Sequence, residues 1–283
     1  MPQIKGIAQR YDGGRADYVL IFDWVTGRCL STVVPSRDGS WSYTYYSNIN
    51  CGITYVSDGC KPVTHGSYYF EVDIPVDTIL HYSFNGDTLD YSNNMNNGVT
   101  SGDVSFVEGR KVGTQAIRFE NGVVKTSSVM AINSGKLTIS CWLKLEDFIS
   151  PQQLFVGGDI SSSIDGSYYI IANNTAPPSL DVISTTGSNA RNHVKTARSL
   201  QDGWHHLFIA IDRSTAEVSK LFVNNLEVAL EDRLVAEQVG NFGSFILNIG
   251  KNDGSYPLKG LMQDLRIYNR LLSDTERTKL FDE

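Results

Sequence analysis

An all-β protein of two domains is what this sequence predicts, and three observations carry that reading. Of 283 residues only 19% are charged, whereas Gly (25), Tyr (14) and Phe (12) are plentiful, which is the composition of strands and turns. Short runs of alternating apolar and polar residues recur along the chain, separated by clusters of Gly, Asn, Asp and Ser. Only one segment, close to the C-terminus, carries a persuasive helix-start signal. The 24 Lys+Arg against 31 Asp+Glu leave a net charge of −7 and a pI near 5.3. That balance argues against sequence-independent nucleic-acid binding, which needs cationic excess to release counterions. No run approaches the roughly 18 apolar residues of a membrane-spanning helix. Met1 to Arg10 lacks the apolar core of a signal peptide, so synthesis in the cytoplasm without export is expected.

Residues 1–75 read as a small β-sandwich of six or seven strands. A strand opens at Ile4, Tyr18 to Val25 forms another, and Thr26-Gly27 turns it back into Leu30 to Val34. Arg37-Asp-Gly-Ser40 then reads as a second hairpin turn leading into Trp41 to Tyr46. Three of the four cysteines lie here. A Cys51–Cys60 bridge is disfavoured, because a hairpin turn at Ser57-Asp-Gly59 would pair Cys51 near residue 66; without an export signal, reduced thiols are expected. Adding His65 gives only three zinc donors at irregular spacing. The boundary falls in Glu71 to Asp77, an extended connector containing Pro75.

Residues 76–283 carry −6 of the net charge and continue as strands without crossover helices, the size of a jelly-roll sandwich. Leu80, Tyr82 and Phe84 alternate on one strand; Leu137, Ile139, Cys141 and Leu143 form the inward face of another. Trp204 to Asp212 is bulky on both faces and reads as a central strand. Further strands are expected at Leu221 to Val223, Phe245 to Ile249 and Leu261 to Tyr268. Ser273-Asp-Thr-Glu276 has the spacing of a capping box at the start of the one helix.

The order of elements in residues 1–75 resembles the small immunoglobulin-like or carboxypeptidase-regulatory-like modules at the head of many bacteriophage virion proteins. The second domain resembles the concanavalin A-like, laminin-G-like family through five motifs in order. These are Phe84-Asn-Gly-Asp-Thr-Leu-Asp90 with Ser92 to Gly98, Ala116-Ile-Arg-Phe-Glu-Asn-Gly122, and Leu137-Thr-Ile-Ser-Cys-Trp142. Gly203-Trp-His-His206 with Leu221-Phe-Val-Asn-Asn225 is the fourth, and Gly260-Leu-Met-Gln-Asp264-Leu-Arg-Ile-Tyr-Asn-Arg270 the fifth. Asn93 and Asn225 stand where the family usually has Gly.

The resemblance implies a structural calcium ion held by Asp90, Asn94 and Asp264, stapling the first strand of the domain to the last. The loop supplies Asp87, Asp90, Asn93, Asn94, Asn96 and Asn97 within eleven positions, the oxygen donors that Ca²⁺ takes, although turn chemistry alone uses the same residues. It also implies glycan binding, for which Tyr168, Tyr169, Arg191 and Tyr256 are the candidates. The competing reading makes each a core tyrosine or an ordinary loop residue. No catalytic residues are assigned. Glu71 and Asp73 share a strand face but fall in the connector, Glu146 and Asp147 point to opposite sides, and a glycosidase needs two facing carboxylates. His205 and His206 likewise point apart and read as packing residues. The expectation is a non-enzymatic phage surface protein, with residues 1–75 docking to capsid or tail proteins and residues 76–283 binding host or environmental glycans. A decoration protein stabilising the particle, and a glycan hydrolase or its accessory module, are the alternatives. Homo-oligomerisation is compatible with all of these.

Overall fold

The computed structural model describes residues 3–7, 18–23, 29–37, 40–44, 49–56, 63–70, 78–146, 150–158, 164–174, 179–186, 190–197, 200, 203–213, 220–234, 240–252 and 256–283. The chain divides into two compact units, Met1–Pro75 and Val76–Glu283.

The first unit contains β1 (Gln3–Ile7), β2 (Tyr18–Asp23), β3 (Cys29–Val33), β4 (Ser40–Thr44), β5 (Ile49–Val56) and β6 (Val63–Phe70). They form a four-stranded sheet in the order β3-β2-β5-β6 and a β1-β4 pair. The hairpin expected at Thr26-Gly27 is present as the β2–β3 pairing. Among the described residues β3 and β4 are not paired as the second hairpin signal predicts. Ser36 N–H donates to Ser40 O at 2.7 Å, but β4 leaves for the other sheet and pairs with β1. Val19, Ile21 and Trp41 are buried, so the crossing carries a core aromatic with it. Cys51 lies opposite Tyr68; Cys60 and residues 71–77 lie outside the described residues.

The second unit begins with β7 (Thr78–Tyr82), β8 (Gly98–Ser101), β9 (Val104–Glu108), β10 (Gln115–Phe119), β11 (Val123–Thr126) and β12 (Met130–Ala131). It continues through β13 (Lys136–Leu145), β14 (Gln152–Gly157), β15 (Tyr168–Asn173), β16 (Ser179–Thr186), β17 (Ala190–Ala197) and β18 (His205–Asp212). It ends with β19 (Lys220–Val223), β20 (Leu226–Glu227), β21 (Leu230–Leu234), β22 (Ser244–Phe245), β23 (Leu247–Ile249), β24 (Gly260–Tyr268) and helix α1 (Asp274–Asp282). Two eight-stranded antiparallel sheets result. One runs β20-β19-β18-β13-β24-β10-β9, with β7 sharing the far edge of β24 beside β10; the other runs β21-β17-β16-β15-β14-β23-β11-β8. This is a concanavalin A-like jelly-roll sandwich.

Alternation explains what fills it. Leu80, Tyr82, Phe84, Leu137, Ile139, Cys141 and Leu143 all join one continuous core with Phe155, Tyr168, Ile170, Leu247 and Ile249 from the opposite sheet. The β13 face read from sequence is therefore the core face. Strand β18 is buried along its interior on both sides, because α1 covers the outer face there. Phe208, Ala210, Phe222 and Tyr268 pack against Leu280, Leu271 and Leu272. Burying Leu280 alone contributes roughly 2 kcal/mol. The helix starts as its sequence predicts: Ser273 Oγ accepts from Glu276 N–H while the Glu276 side chain accepts from the Ser273 backbone. Asn224 and Asn225 sit at φ 52° and 62° in the two-residue turn between β19 and β20, where Val223 faces Leu226. Both central residues of such a turn are left-handed, so asparagine replaces the customary glycine at small cost.

Candidate functional site

The loop expected to hold calcium is built around one carboxylate. Asp90 is buried and accepts four hydrogen bonds. Its Oδ1 takes the N–H groups of His81 and Ser92, both at 2.9 Å, and its Oδ2 takes Ser92 Oγ–H and Asn96 N–H, both at 2.8 Å. Asn96, also buried, extends the network: its Oδ1 accepts from Ser128 N–H at 2.9 Å and its Nδ2 donates to Ser128 O at 2.9 Å. The left-handed residue of this loop is Met95 (φ 49°) rather than Asn93.

Asp264 lies at the other end of the chain, on β24, in an outward bulge where the register with β13 shifts between Ser140 and Trp142. Its φ of 52° marks the bulged residue, which lets Gln263 and Asp264 both leave the core while Met262 and Leu265 stay in it. Arg266, two residues on, grips the Asp264 carboxylate with Nε at 3.0 Å and an Nη at 3.1 Å. His81 Nε2 lies 3.0 Å from its Oδ1, and Arg266 also pairs with Glu283. Burial opposes ionisation of Asp264, but Arg266 and then His81 outweigh it and hold the carboxyl well below the usual range. Burial first, and the Arg266 charge second, push His81 down. The His81–Asp264 contact is therefore a hydrogen bond from a neutral ring, not a second ion pair.

The three residues implied as calcium ligands thus meet on β7, each in a different way. Asp90 accepts from the His81 backbone, Asp264 from the His81 ring, and Asn94 donates its amide to Ile79 O at 3.0 Å. This arrangement does not fit a calcium ion. Both oxygens of Asp90 face N–H and O–H donors, both oxygens of Asp264 face a guanidinium, and the nearest end of Asn94 is its donor. Among the described residues no group of three His, Cys, Asp or Glu side chains is placed to hold a metal. The staple between first and last strands exists, but hydrogen bonds make it.

Of the glycan candidates, two are withdrawn by their burial. Tyr168 is 1% exposed and its ring meets Phe242 edge-on at 5.5 Å in the core. Tyr169 points to the opposite face of the sheet but is only 5% exposed, packed with Val156, Ile183 and Ile171. Neither offers a ring face to a sugar. Arg191 lies on β17 opposite Thr185, and its side chain lies outside the described residues. Tyr256 is 51% exposed. It is the one candidate that presents an open ring.

The described carboxylates are mostly committed to cations. Arg118 bridges Glu120 and Glu146 at 2.9 Å each, Lys136 stands 3.9 Å from Asp212, and Arg270 pairs with Glu276. The Arg270 hydrogen bond is the chief reason the Glu276 carboxyl is pushed down to about 2. Glu71, Asp73 and Asp147 lie outside the described residues. His206 faces α1, its ring 5.1 Å from Trp142 and 5.7 Å from Phe281. Its Nε2 meets Ser140 Oγ at 3.0 Å. His205 lies on the other side of the strand, as expected, with Nδ1 3.2 Å from Asn224 Nδ2.

Sequence reading missed Arg213. It is fully buried, donating to Asn241 O at 2.8 Å and to Asp165 Oδ1 at 3.0 Å, and so pins the loop before β15 to the loop before β22. Beside it Gly166 (φ 81°) lies so close to Gly243 that a Cβ would stand 2.2 Å from the Gly243 nitrogen. An isolated arginine after a strand has no sequence signature of such a role. Gln153 was missed as well; its N–H donates to Tyr256 O and its Oε1 accepts from Asn252 N–H, both at 2.8 Å.

With the geometry in place, comparison with known proteins decides the family. The family model for concanavalin A-like lectin/glucanases matches residues 113–276, more than half of the chain. This protein belongs to the concanavalin A-like lectin/glucanases superfamily. The motif at residues 84–98 precedes the matched segment. No curated protein matches the chain. Among solved structures it is similar to domain 4 of AbnA, a GH43 extracellular arabinanase from Geobacillus stearothermophilus, in complex with arabinotriose. Identity there is 21% and the TM-score 0.55, over 72% of this chain and 98% of that one. It is also similar to the binding domain of Paraclostridial Mosquitocidal Protein 1, at 17% identity and TM-score 0.56, over 72% of this chain and 52% of that one. The binding domain of botulinum neurotoxin DC, in complex with rat synaptotagmin II, gives 13% and 0.54, over 73% and 51%. The chain spans about half the length of those two binding domains. At these identities the likeness is one of fold.

Proposed function

We propose that Val76–Glu283 is a non-catalytic glycan-binding domain. The observation that carries the non-catalytic part is the state of two carboxylates among the described residues, the buried Asp90 and the half-buried Asp264. A glycosidase needs a general acid whose pKa is raised and a second carboxylate facing it across the sugar. Asp264 is shifted the other way by Arg266 and His81, and Asp90 is filled by backbone donors. The binding part is supported by the superfamily and by a fold neighbour whose structure holds arabinotriose, which is an argument from fold.

The proposed setting is the surface of a bacteriophage particle. Residues 1–75 would dock to capsid or tail proteins, and the sandwich would face outward to host or environmental glycans. What supports this is the order of a small β-module before a laminin-G-like domain, as read from sequence. The test uses the full chain, fluorescently labelled, on intact bacterial cells. Saturable labelling that is competed by the purified surface polysaccharide supports adhesion. Labelling of phage particles alone, with no cell or polysaccharide binding, favours a decoration protein instead.

A further inference from the structure

We propose that Tyr256 is the stacking platform of a subsite for a neutral sugar ring; this rests on the glycan-binding reading above. Four buried tyrosines (Tyr82, Tyr168, Tyr169 and Tyr268) fill the domain, whereas Tyr256 is half exposed. Its backbone sits at φ 56°, a conformation that bulky residues rarely adopt. It also precedes Pro257, whose ring further narrows the backbone choices of its neighbour toward extended forms. A glycine would satisfy this position without strain. The chain instead holds an aromatic side chain there and turns it to solvent. Strain of this kind persists only where the surroundings over-determine it, and it gathers at binding sites.

The surroundings do over-determine it. Gln153 N–H donates to Tyr256 O at 2.8 Å, Asn252 N–H donates to Gln153 Oε1 at 2.8 Å, and Leu258 N–H donates to Gly250 O at 2.6 Å. The Leu258 side chain is fully buried. The backbone of Tyr256 and of nearby Leu258 is therefore fixed, so the ring is held at little ordering cost on binding. Gln153, whose backbone holds Tyr256 O, is 1% exposed, and its Nε2 has no hydrogen-bond partner among the described residues, a second departure from a satisfied interior. The electron-rich face of the tyrosine suits the C–H face of a neutral ring.

The test compares the full-length protein with Y256F and Y256G by calorimetric titration with arabinotriose, cellotriose and maltotriose, with 3′-sialyllactose as the acidic counterpart. At least one neutral trisaccharide should bind, Y256F should hold affinity within about twofold, and Y256G should lose at least about tenfold (about 1.4 kcal/mol). The same Y256G variant should melt no lower than the wild type, because glycine adopts this backbone freely. A lowered Tm in Y256G would make the ring a packing element and overturn the proposal, as would loss of binding in Y256F or a preference for sialyllactose. Unchanged binding by Y256G would overturn this subsite and leave glycan binding standing. No binding of any trisaccharide by the wild type would overturn both.

Discussion

Replacing Asp90 with asparagine is the sharpest probe of how the sandwich closes. The carboxylate accepts four hydrogen bonds from groups at 2.8–2.9 Å, three of them backbone N–H. An amide keeps one acceptor oxygen and sets an NH₂ against the donors that faced the other. Whichever way it turns, two donors lose their partner. If Oδ2 becomes the nitrogen, Ser92 Oγ can rotate away, and the orphan is Asn96 N–H. If Oδ1 does, His81 and Ser92 N–H are both orphaned. An unmet buried donor costs about 1–3 kcal/mol; the amide takes the orientation with the single orphan, so D90N should destabilise the second unit by about 1–3 kcal/mol. Urea unfolding of the full chain, followed by hydrogen exchange at the amides of β7 and β24, measures the loss in this unit alone and avoids assuming one transition for two units. The loss should be the same with chelator or with added calcium. Destabilisation below about 1 kcal/mol would refute the hydrogen-bond account. A loss that vanishes once both proteins are stripped by chelator would return Asp90 to the role of an ion ligand.

The other predictions concern pH, a loop glycine and the helix cap. Burial, with Arg110 and Arg266 nearby and only Asp264 opposing, lowers His206 to about 4, so the unfolded chain binds the extra proton first as pH falls below about 6.5. Stability contributed by the neutral ring is thus present above that pH and is lost between about 6.5 and 4, by about 3 kcal/mol at most; H206Q should flatten that slope in pH-dependent melting. Asp264, which Arg266 and His81 also hold below its ordinary value, adds a further loss below about pH 4, which D264N should remove. Gly166→Ala forces a Cβ onto the Gly243 nitrogen at a left-handed position and should lower stability by about 3 kcal/mol in urea unfolding. Ser273→Ala removes the reciprocal cap of α1 and should cost about 1 kcal/mol, read as faster exchange at the first turn of the helix.

Where one face of a strand is core, the sequence states it: the Leu137-Ile139-Cys141-Leu143 face, the Leu80-Tyr82-Phe84 face and the Ser273–Glu276 cap were all readable from local pattern. Tyr168 and Tyr169 were not, because both faces of β15 are buried and alternation then carries no sign of exposure. An aspartate in an Asn-rich loop is equally a calcium ligand or the acceptor of a tight turn; only the path that brings His81, Ser92 and Asn96 N–H onto one carboxylate decides between them. The bulge at Asp264, the buried Arg213 and the left-handed Tyr256 all depend on partners more than forty residues away. The Asp38-Gly39 turn shows the converse, since a local hairpin signal was overridden when β4 paired with β1.

Binding without turnover is the central claim for Val76–Glu283. The direct measurement is titration of the full-length protein with the neutral oligosaccharides, followed by mass spectrometry of the sugars recovered from the same samples. Saturable binding, unaffected by chelator, with every oligosaccharide returned at its original length, is the predicted result. Shortened products, or no binding to any glycan presented, would contradict it.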